Sequence, residues 1–100
     1  MEVFPVKVIK RDGHTVDFDR MKIVVAIQKA NAAVDPEYRI DQERIDAIAD
    51  AVGALHRPRL LVEDIQDMVE RKLMESGKYE LSKAYILYRY LRSLARKQNT

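Results

Sequence analysis

Apolar residues recur every three or four positions through most of this sequence, and this spacing commits the chain to a mostly helical fold. Four such stretches lie between about residues 19 and 97. Each is apolar on one side only, so the four predicted helices should pack as a bundle around one core. The predicted inward positions, helix by helix, are Ile23, Ile27, Ala30 and Val34; Ile45, Ile48, Ala49, Val52 and Leu55; Ile65, Met68, Val69 and Leu73; Leu81, Ala84, Tyr85, Tyr88, Leu91 and Ala95.

Polar and helix-breaking residues mark the ends of these helices. Asp19 and Asp41 are suited to be the N-caps of the first and second helices, because a carboxylate accepts hydrogen bonds from the free N–H groups there. Asp35-Pro36 is predicted to end the first helix, since the residue before proline avoids helical geometry. Ser76-Gly77 is the predicted stop of the third helix. The third and fourth helices are predicted over about residues 62–75 and 79–97.

The residues before the first helix, about 6–18, are predicted to form a β-hairpin. Asp12-Gly13 is a strong signal for a two-residue type I′ turn, which needs positive φ at both central positions. A hairpin of this size is not stable alone, so it must lie on the helices. The fold class is therefore mostly α with a small β part, a four-helix bundle that carries an N-terminal hairpin.

A two-residue turn also fixes which hairpin side chains face the helices. Ile9 would then pair with Val16, on the side that also carries Phe18, and this side is expected to pack on the bundle. Val8 and Lys10 would lie on the opposite side.

The composition narrows the class of protein further. With 100 residues, 47% hydrophobic and 34% charged, the chain fits one globular domain over residues 1–100. It has no cysteine, which excludes disulfides, thiolate catalysis and cysteine-ligated zinc. His14 and His56 have no metal-ligand spacing, and no set of nucleophile, acid and base stands out. We therefore expect neither a metal site nor an enzyme.

The chain also lacks the signals of a membrane or secreted protein. No apolar run approaches the roughly 20 residues that span a bilayer, and the first residues do not resemble a signal peptide. A cytoplasmic location is expected. The formal net charge of +2 is too small to indicate nucleic-acid binding by itself.

Basic residues near the hairpin turn and the first helix are the candidate ligand contacts. Lys10 and Arg11 lie beside the turn, where they are either an anion site or simply a solvated strand edge. Lys22 falls at the third position of the first helix, where glutamate is favoured. A bound phosphate would relieve this conflict, because helix N-termini bind anions; otherwise Lys22 turns into solvent.

These positions together suggest a nucleotide site. Lys10, Arg11 and Lys22 could bracket a polyphosphate, and Asp19 could accept a hydrogen bond from a base amino group. Val8 and Ile23 could hold a purine between them. Glycine-rich phosphate-binding motifs are absent. Arg89 and Arg92 share one face of the last helix and are either further phosphate contacts or a solvated surface.

Three segments, in this order along the chain, resemble the signatures of the ATP-cone family. The first is Val8-Ile9-Lys10-Arg11-Asp12-Gly13, continued by Val16-Asp17-Phe18-Asp19-Arg20-Met21-Lys22-Ile23; the second is Ile65-Gln66-Asp67-Met68-Val69-Glu70; the third is Ala84-Tyr85-Ile86-Leu87-Tyr88-Arg89. The likeness spans about residues 6–92.

This resemblance implies a helical bundle capped by a hairpin lid, with ATP or dATP, alone or with Mg²⁺, held beneath the lid. It also implies a role, because ATP-cones usually stand at the N-terminus of ribonucleotide reductases, where ATP activates and dATP inhibits. Carried over by position, the implied nucleotide contacts are Lys10 and Arg11 on phosphates, Val8 and Ile23 on adenine, Asp19 on the base edge, Lys22 on ribose or phosphates, and Arg92 on phosphates.

Two positions depart from the family pattern. Val16 stands where some members carry a polar residue that contacts the nucleotide, and Leu60-Leu61-Val62 stands where many members open the third helix with Ser or Thr. The third helix is therefore expected to lack a side-chain cap. Without cysteine, the zinc ribbon of the ATP-cone repressor of reductase genes is also absent.

The sequence thus predicts an allosteric regulatory domain for ATP or dATP, not itself an enzyme, that controls a ribonucleotide reductase or another associated partner. Homo-oligomerisation is left open, and a nucleic-acid partner is not expected. Two alternatives remain: a transcription-regulatory module that meets nucleic acid through the basic face of the last helix and uses nucleotide as effector, and a helical interaction domain without a ligand.

Overall fold

The computed structural model describes residues 6–55 and 57–98, with side chains as far as Ala95. Four α-helices dominate it and a small sheet lies at the N-terminal side, which confirms the predicted fold class. The elements are β1 (Lys7–Ile9), β2 (Thr15–Asp17), α1 (Arg20–Ala32), a 3₁₀ turn (Pro36–Tyr38), α2 (Gln42–Gly53), β3 (Arg59–Leu61), α3 (Val62–Glu75) and α4 (Tyr79–Gln98). In the described part of the chain, no helix combines the length and the apolar composition that a membrane-spanning segment requires.

Both predicted N-caps are confirmed. The Asp19 carboxylate accepts a hydrogen bond from the Met21 backbone N–H at 3.0 Å, and the Asp41 carboxylate accepts one from the Arg44 N–H at 2.8 Å. These bonds satisfy N–H groups that have no partner within the helix. The boundaries of α3 and α4 agree with the prediction, whereas α1 ends at Ala32, before the Asp35-Pro36 pair that was expected to stop it.

The predicted register of the hairpin is wrong by one residue. Val8 pairs with Val16, and the Lys10 N–H donates to the His14 carbonyl at 2.8 Å. The loop therefore contains three residues and ends on Gly13, whose φ of 92° suits glycine.

This register reverses the two sides of β1. Because side chains alternate along a strand, a shift of one residue exchanges the inner and outer faces. Val8, predicted to face away from the helices, is 6% exposed and lies in the core, while Ile9 is on the other face. Val16 and Phe18 pack against the core as predicted.

A third strand, β3, was not predicted. It pairs in parallel with β1, so that Val8 lies beside Leu60 and Ile9 beside Leu61, and β1 becomes the central strand of the order β2-β1-β3. Leu60 is 4% exposed and adds to the core. Since β3 leads directly into α3, this pairing places the start of α3 at the end of β1 where the hairpin loop begins.

A single core joins the sheet to the four helices. Its buried apolar residues are Val8, Ile23, Val24, Ile27, Ala30, Ile40, Ile45, Ile48, Ala49, Val52, Leu60, Ile65, Val69, Leu73, Leu81 and Tyr85. Most predicted inward positions are among them or pack against them. The last predicted inward positions of α4 are the exceptions: Leu91 is 53% exposed, Ala95 is also exposed, and Tyr88 is half-buried outside this core. From Leu81 and Tyr85 the inward line of α4 continues by four residues to Arg89, which leaves Leu91 on the outer side.

Candidate functional site

A cleft lies between the hairpin loop and the first turn of α3. It encloses about 120 Å³ and is lined by Ile9, Lys10, Arg11, Leu61, Val62 and Glu63. The parallel pairing of β1 and β3 creates it, because both strands end at the same edge of the sheet. Lys10 and Arg11, two of the predicted phosphate contacts, thus lie beside the start of α3. The sequence did not predict that α3 begins next to them.

The N-terminus of α3 is open toward this cleft. Its N-cap residue, Leu61, makes no side-chain capping hydrogen bond, as the departure from the family pattern predicted. The backbone N–H groups of a first helical turn carry partial positive charge. The cleft therefore combines a helix N-terminus with two cationic side chains, an arrangement that suits a phosphate group.

The loop that presents these cations is held by its own residues. The His14 backbone N–H donates to the Asp12 carboxylate at 3.1 Å, and the His14 ring contacts the same oxygen. These hydrogen bonds, the backbone one above all, lower the pKa of Asp12. The carboxylate therefore stays ionised and keeps fixing the loop at any pH near neutrality.

Arg11 has a counter-ion within the cleft. Its Nε lies 3.5 Å from Glu63 Oε1, and about half of each side chain is exposed. Glu63 belongs to the first turn of α3, where a carboxylate also interacts favourably with the helix N-terminus.

Lys22 is exposed at the third position of α1 and is not among the residues that line this cleft. The first turn of α1 contains no acidic residue, and Asp19 is its capping group. The structure thus brings Lys10 and Arg11 together and leaves Lys22 at a different helix start. A role for Lys22 at the ribose or phosphates stays a prediction.

The start of α1 is anchored to α2 by Arg20. Its Nε donates to the Asp50 carboxylate at 2.6 Å, and its Nη2 donates to the Asp46 carboxylate at 3.0 Å. The hydrogen bond to Asp50, followed by the one to Asp46, raises the pKa of Arg20. This cation is engaged in holding two helices together, so it is not a candidate ligand contact.

The two residues predicted to flank adenine are both in the core. Val8 is 6% exposed and Ile23 is 8% exposed. A base can lie between them only if the hairpin and α1 move apart from this arrangement. Asp19, predicted at the base edge, is exposed while it caps α1.

The two arginines of α4 differ in their surroundings. Arg89 Nε donates to the Glu70 carboxylate at 2.7 Å, a second guanidinium N–H bonds to the same oxygen, and a third reaches Gln66 Oε1 at 3.4 Å. Both Arg89 and Glu70 are largely buried between α3 and α4. Arg92 is exposed and has no ion pair among the described residues. Contact of Arg89 with a phosphate would require this pair to break.

The described residues thus form a small, mostly helical domain with a cationic cleft at one edge of a short sheet. Within them, no group of three or more His, Cys, Asp or Glu residues could hold a metal ion. A family model described as the ATP cone domain matches residues 6–94. The chain belongs to the ATP-cone family.

Relatives of this chain are ribonucleotide reductases. The anaerobic ribonucleoside-triphosphate reductase of Haemophilus influenzae is 37% identical over 98 residues, which cover 93% of this chain and 13% of that protein. The vitamin B12-dependent ribonucleoside-diphosphate reductase of Mycobacterium tuberculosis is 40% identical over 93 residues, covering 90% of this chain and 12% of that protein. The ribonucleoside-diphosphate reductase subunit alpha of Chlamydia muridarum is 39% identical over 103 residues, covering 89% of this chain and 10% of that protein. The chain spans only about a tenth of the length of these relatives.

Proposed function

We propose that this chain is a regulatory domain that binds ATP or dATP with its phosphates in the cleft between the hairpin loop and α3. The observation that carries the proposal is the placement of Lys10 and Arg11 against the uncapped N-terminus of α3. Membership of the ATP-cone family supports a nucleotide as the ligand. The domain itself catalyses no reaction in this proposal.

The remaining contacts follow from the sequence prediction. Adenine would lie between Val8 and Ile23 with Asp19 at its edge, and Lys22 and Arg92 would add contacts to ribose or phosphates. Because Val8 and Ile23 are buried, entry of the base must move the hairpin relative to α1. A ligand shifts such an equilibrium only by its difference in affinity for the two arrangements. Mg²⁺, where present, would be held by the phosphates.

The partner in this proposal is the catalytic polypeptide of a ribonucleotide reductase, since the relatives named above are reductases. A surface on α4 is available for such a contact. Four large apolar side chains, Leu87, Tyr90, Leu91 and Leu94, share its outer face, and each is more than one-third exposed. Contiguous exposed apolar side chains are typical of protein–protein contacts. Movement of the hairpin would be transmitted to the partner through the helices against which the hairpin packs.

The test is a titration of the purified chain with Mg-ATP and dATP by calorimetry. The Lys10→Ala, Arg11→Ala double variant is expected to bind at least about 100-fold more weakly, because two charge-assisted phosphate contacts are lost. Its circular dichroism should be unchanged. The matched control is Lys29→Ala with Arg71→Ala, which removes two exposed cations that do not line the cleft; its affinity should stay within about twofold of the wild type.

Two results would contradict the proposal in different ways. A wild-type chain whose melting temperature is the same with and without millimolar nucleotide does not bind it, since a ligand specific for the folded state must raise that temperature. A double variant that binds as tightly as the wild type would show that the phosphates lie elsewhere.

A further inference from the structure

Glu63 is an anion placed where the proposed ligand would put its own negative charge. Its carboxylate lines the cleft and lies 3.5 Å from Arg11 Nε. The negative charge of Glu63 therefore offsets part of the positive charge that Lys10 and Arg11 bring to the cleft. A phosphate that approaches Arg11 must either displace this carboxylate or share the guanidinium with it.

We propose that Glu63 is an internal competitor for the phosphate site and sets the affinity for nucleotide below the value that Lys10 and Arg11 would give alone. This inference rests on the proposed function, because it concerns the same cleft. An effector site that reports on nucleotide concentration must empty when that concentration falls, and a built-in competing carboxylate moves the dissociation constant in this direction.

The neighbouring residue provides a matched comparison. Glu63 and Asp64 both lie in the first turn of α3 and interact similarly with the helix N-terminus. Asp64 does not line the cleft and makes no ion pair within the described part of the chain. If the affinity for nucleotide depends only on the total charge at this helix end, removing either carboxylate should change it equally. If Glu63 competes for Arg11, only the removal of the Glu63 charge should change it.

The experiment compares Glu63→Gln with Asp64→Asn in the full chain, by calorimetric titration with Mg-ATP, ADP, AMP and inorganic triphosphate at about 0.1 M salt. Glu63→Gln should bind ATP about three- to tenfold more tightly than the wild type, the scale set by an exposed ion pair and one repulsive charge a few ångströms away. The gain should fall from ATP to ADP to AMP, because repulsion grows with ligand charge. Higher salt should reduce it. Asp64→Asn should stay within about twofold of the wild type.

A second comparison tests the residue through which Glu63 acts. In a chain that already carries Arg11→Ala, the further change Glu63→Gln should give a clearly smaller gain than in the wild type, since the two groups are then no longer coupled. A full gain without Arg11 would overturn the competition with that residue.

The other outcomes are equally decisive. Equal gains in Glu63→Gln and Asp64→Asn would mean that the effect is general to the helix end, and no gain would mean that Glu63 does not oppose the ligand. Weaker binding by Glu63→Gln would show that the carboxylate assists the ligand. In each of these cases the wild type still binds, so the proposed function stands while this inference fails; a wild type that binds none of the four ligands contradicts both.

Discussion

Replacement of Arg89 by alanine is expected to destabilise the domain without weakening nucleotide binding. Arg89 was predicted from the sequence as a phosphate contact, but its guanidinium bonds to Glu70 and Gln66 across the α3–α4 interface. The Arg89 side chain is 24% exposed and that of Glu70 is 19% exposed. Alanine would leave a largely buried carboxylate without its cation.

The expected loss of stability lies between two limits. Exposed ion pairs contribute about 0–1 kcal/mol, whereas removal of one partner from a fully buried pair costs about 3–5 kcal/mol. For side chains about one-fifth to one-quarter exposed we expect a loss of about 2 kcal/mol. In a domain of this size that loss corresponds to a decrease of about 10 °C in melting temperature.

Urea denaturation followed by circular dichroism at pH 7 measures this loss. Glu70→Ala alone should also be destabilising. The Glu70→Ala, Arg89→Ala double variant should lose less stability than the sum of the two single variants, because it leaves neither charged side chain without its partner. Arg92→Ala is the control on the same helix, and since Arg92 is exposed its stability should change by less than about 0.5 kcal/mol.

The same Arg89→Ala protein is then titrated with ATP. Its dissociation constant should lie within about twofold of the wild type under conditions where both are folded. A variant that keeps its stability and loses tenfold or more in affinity would refute this reasoning and restore Arg89 to the ligand site.

Two further predictions concern Tyr85 and Asp19. Burial raises the pKa of Tyr85 to about 12, above its ordinary value. The stability that comes from burying the neutral hydroxyl is therefore complete below pH 10 and is lost as the pH rises from 10 through 12. The loss should be about 2–3 kcal/mol, and Tyr85→Phe should show a correspondingly shallower alkaline decrease in urea midpoint; equal decreases in both proteins would contradict the assignment. Asp19→Ser keeps a hydroxyl that can cap α1, so its stability should change by less than about 0.5 kcal/mol. Its affinity for ATP should fall about tenfold through loss of the predicted base contact, with inorganic triphosphate unaffected. Unchanged ATP affinity would show that Asp19 is a cap alone.

The helices could be predicted from the sequence because their signals are local. The apolar spacing of α2 and α3 identifies Ile45, Val52, Val69 and Leu73, and all four are buried. The capping carboxylates lie within three residues of the N–H groups they accept from. Because a short window of the chain contains this information, the helices can be predicted without knowledge of the tertiary structure.

The hairpin shows where local information is insufficient. Asp12-Gly13 fits both a two-residue turn and a three-residue loop that ends on a glycine with positive φ. The choice between them exchanged the faces of β1 and put Val8, not Ile9, in the core. The packing of β1 against the helices decides this register, and that packing involves residues far away in the sequence.

The cleft could not be predicted because it depends on the pairing of β1 with β3. Strand β3 has only three residues, Arg59–Leu61, too few to show an alternating pattern. Two of these residues, Leu60 and Leu61, follow Pro58 and Arg59 and form a short apolar run that is the one signal of a strand there. Without that pairing nothing in the order of the residues indicates that Glu63 lies beside Arg11.

The same pairing bears on how the proposed ligand would act. β1 is hydrogen-bonded to β2 on one side and to β3 on the other, so displacement of Val8 to admit a base moves the sheet as a unit unless a ladder breaks. Because β3 runs directly into α3, the sheet cannot move without disturbing the helix that carries both Glu63 at the cleft and Glu70 at the α4 interface. The hairpin in this chain is therefore not a flap on a single hinge. In the proposed function, a nucleotide that moves the hairpin would also act on α3, and through the Glu70–Arg89 pair on α4, whose outer apolar face is the proposed partner surface.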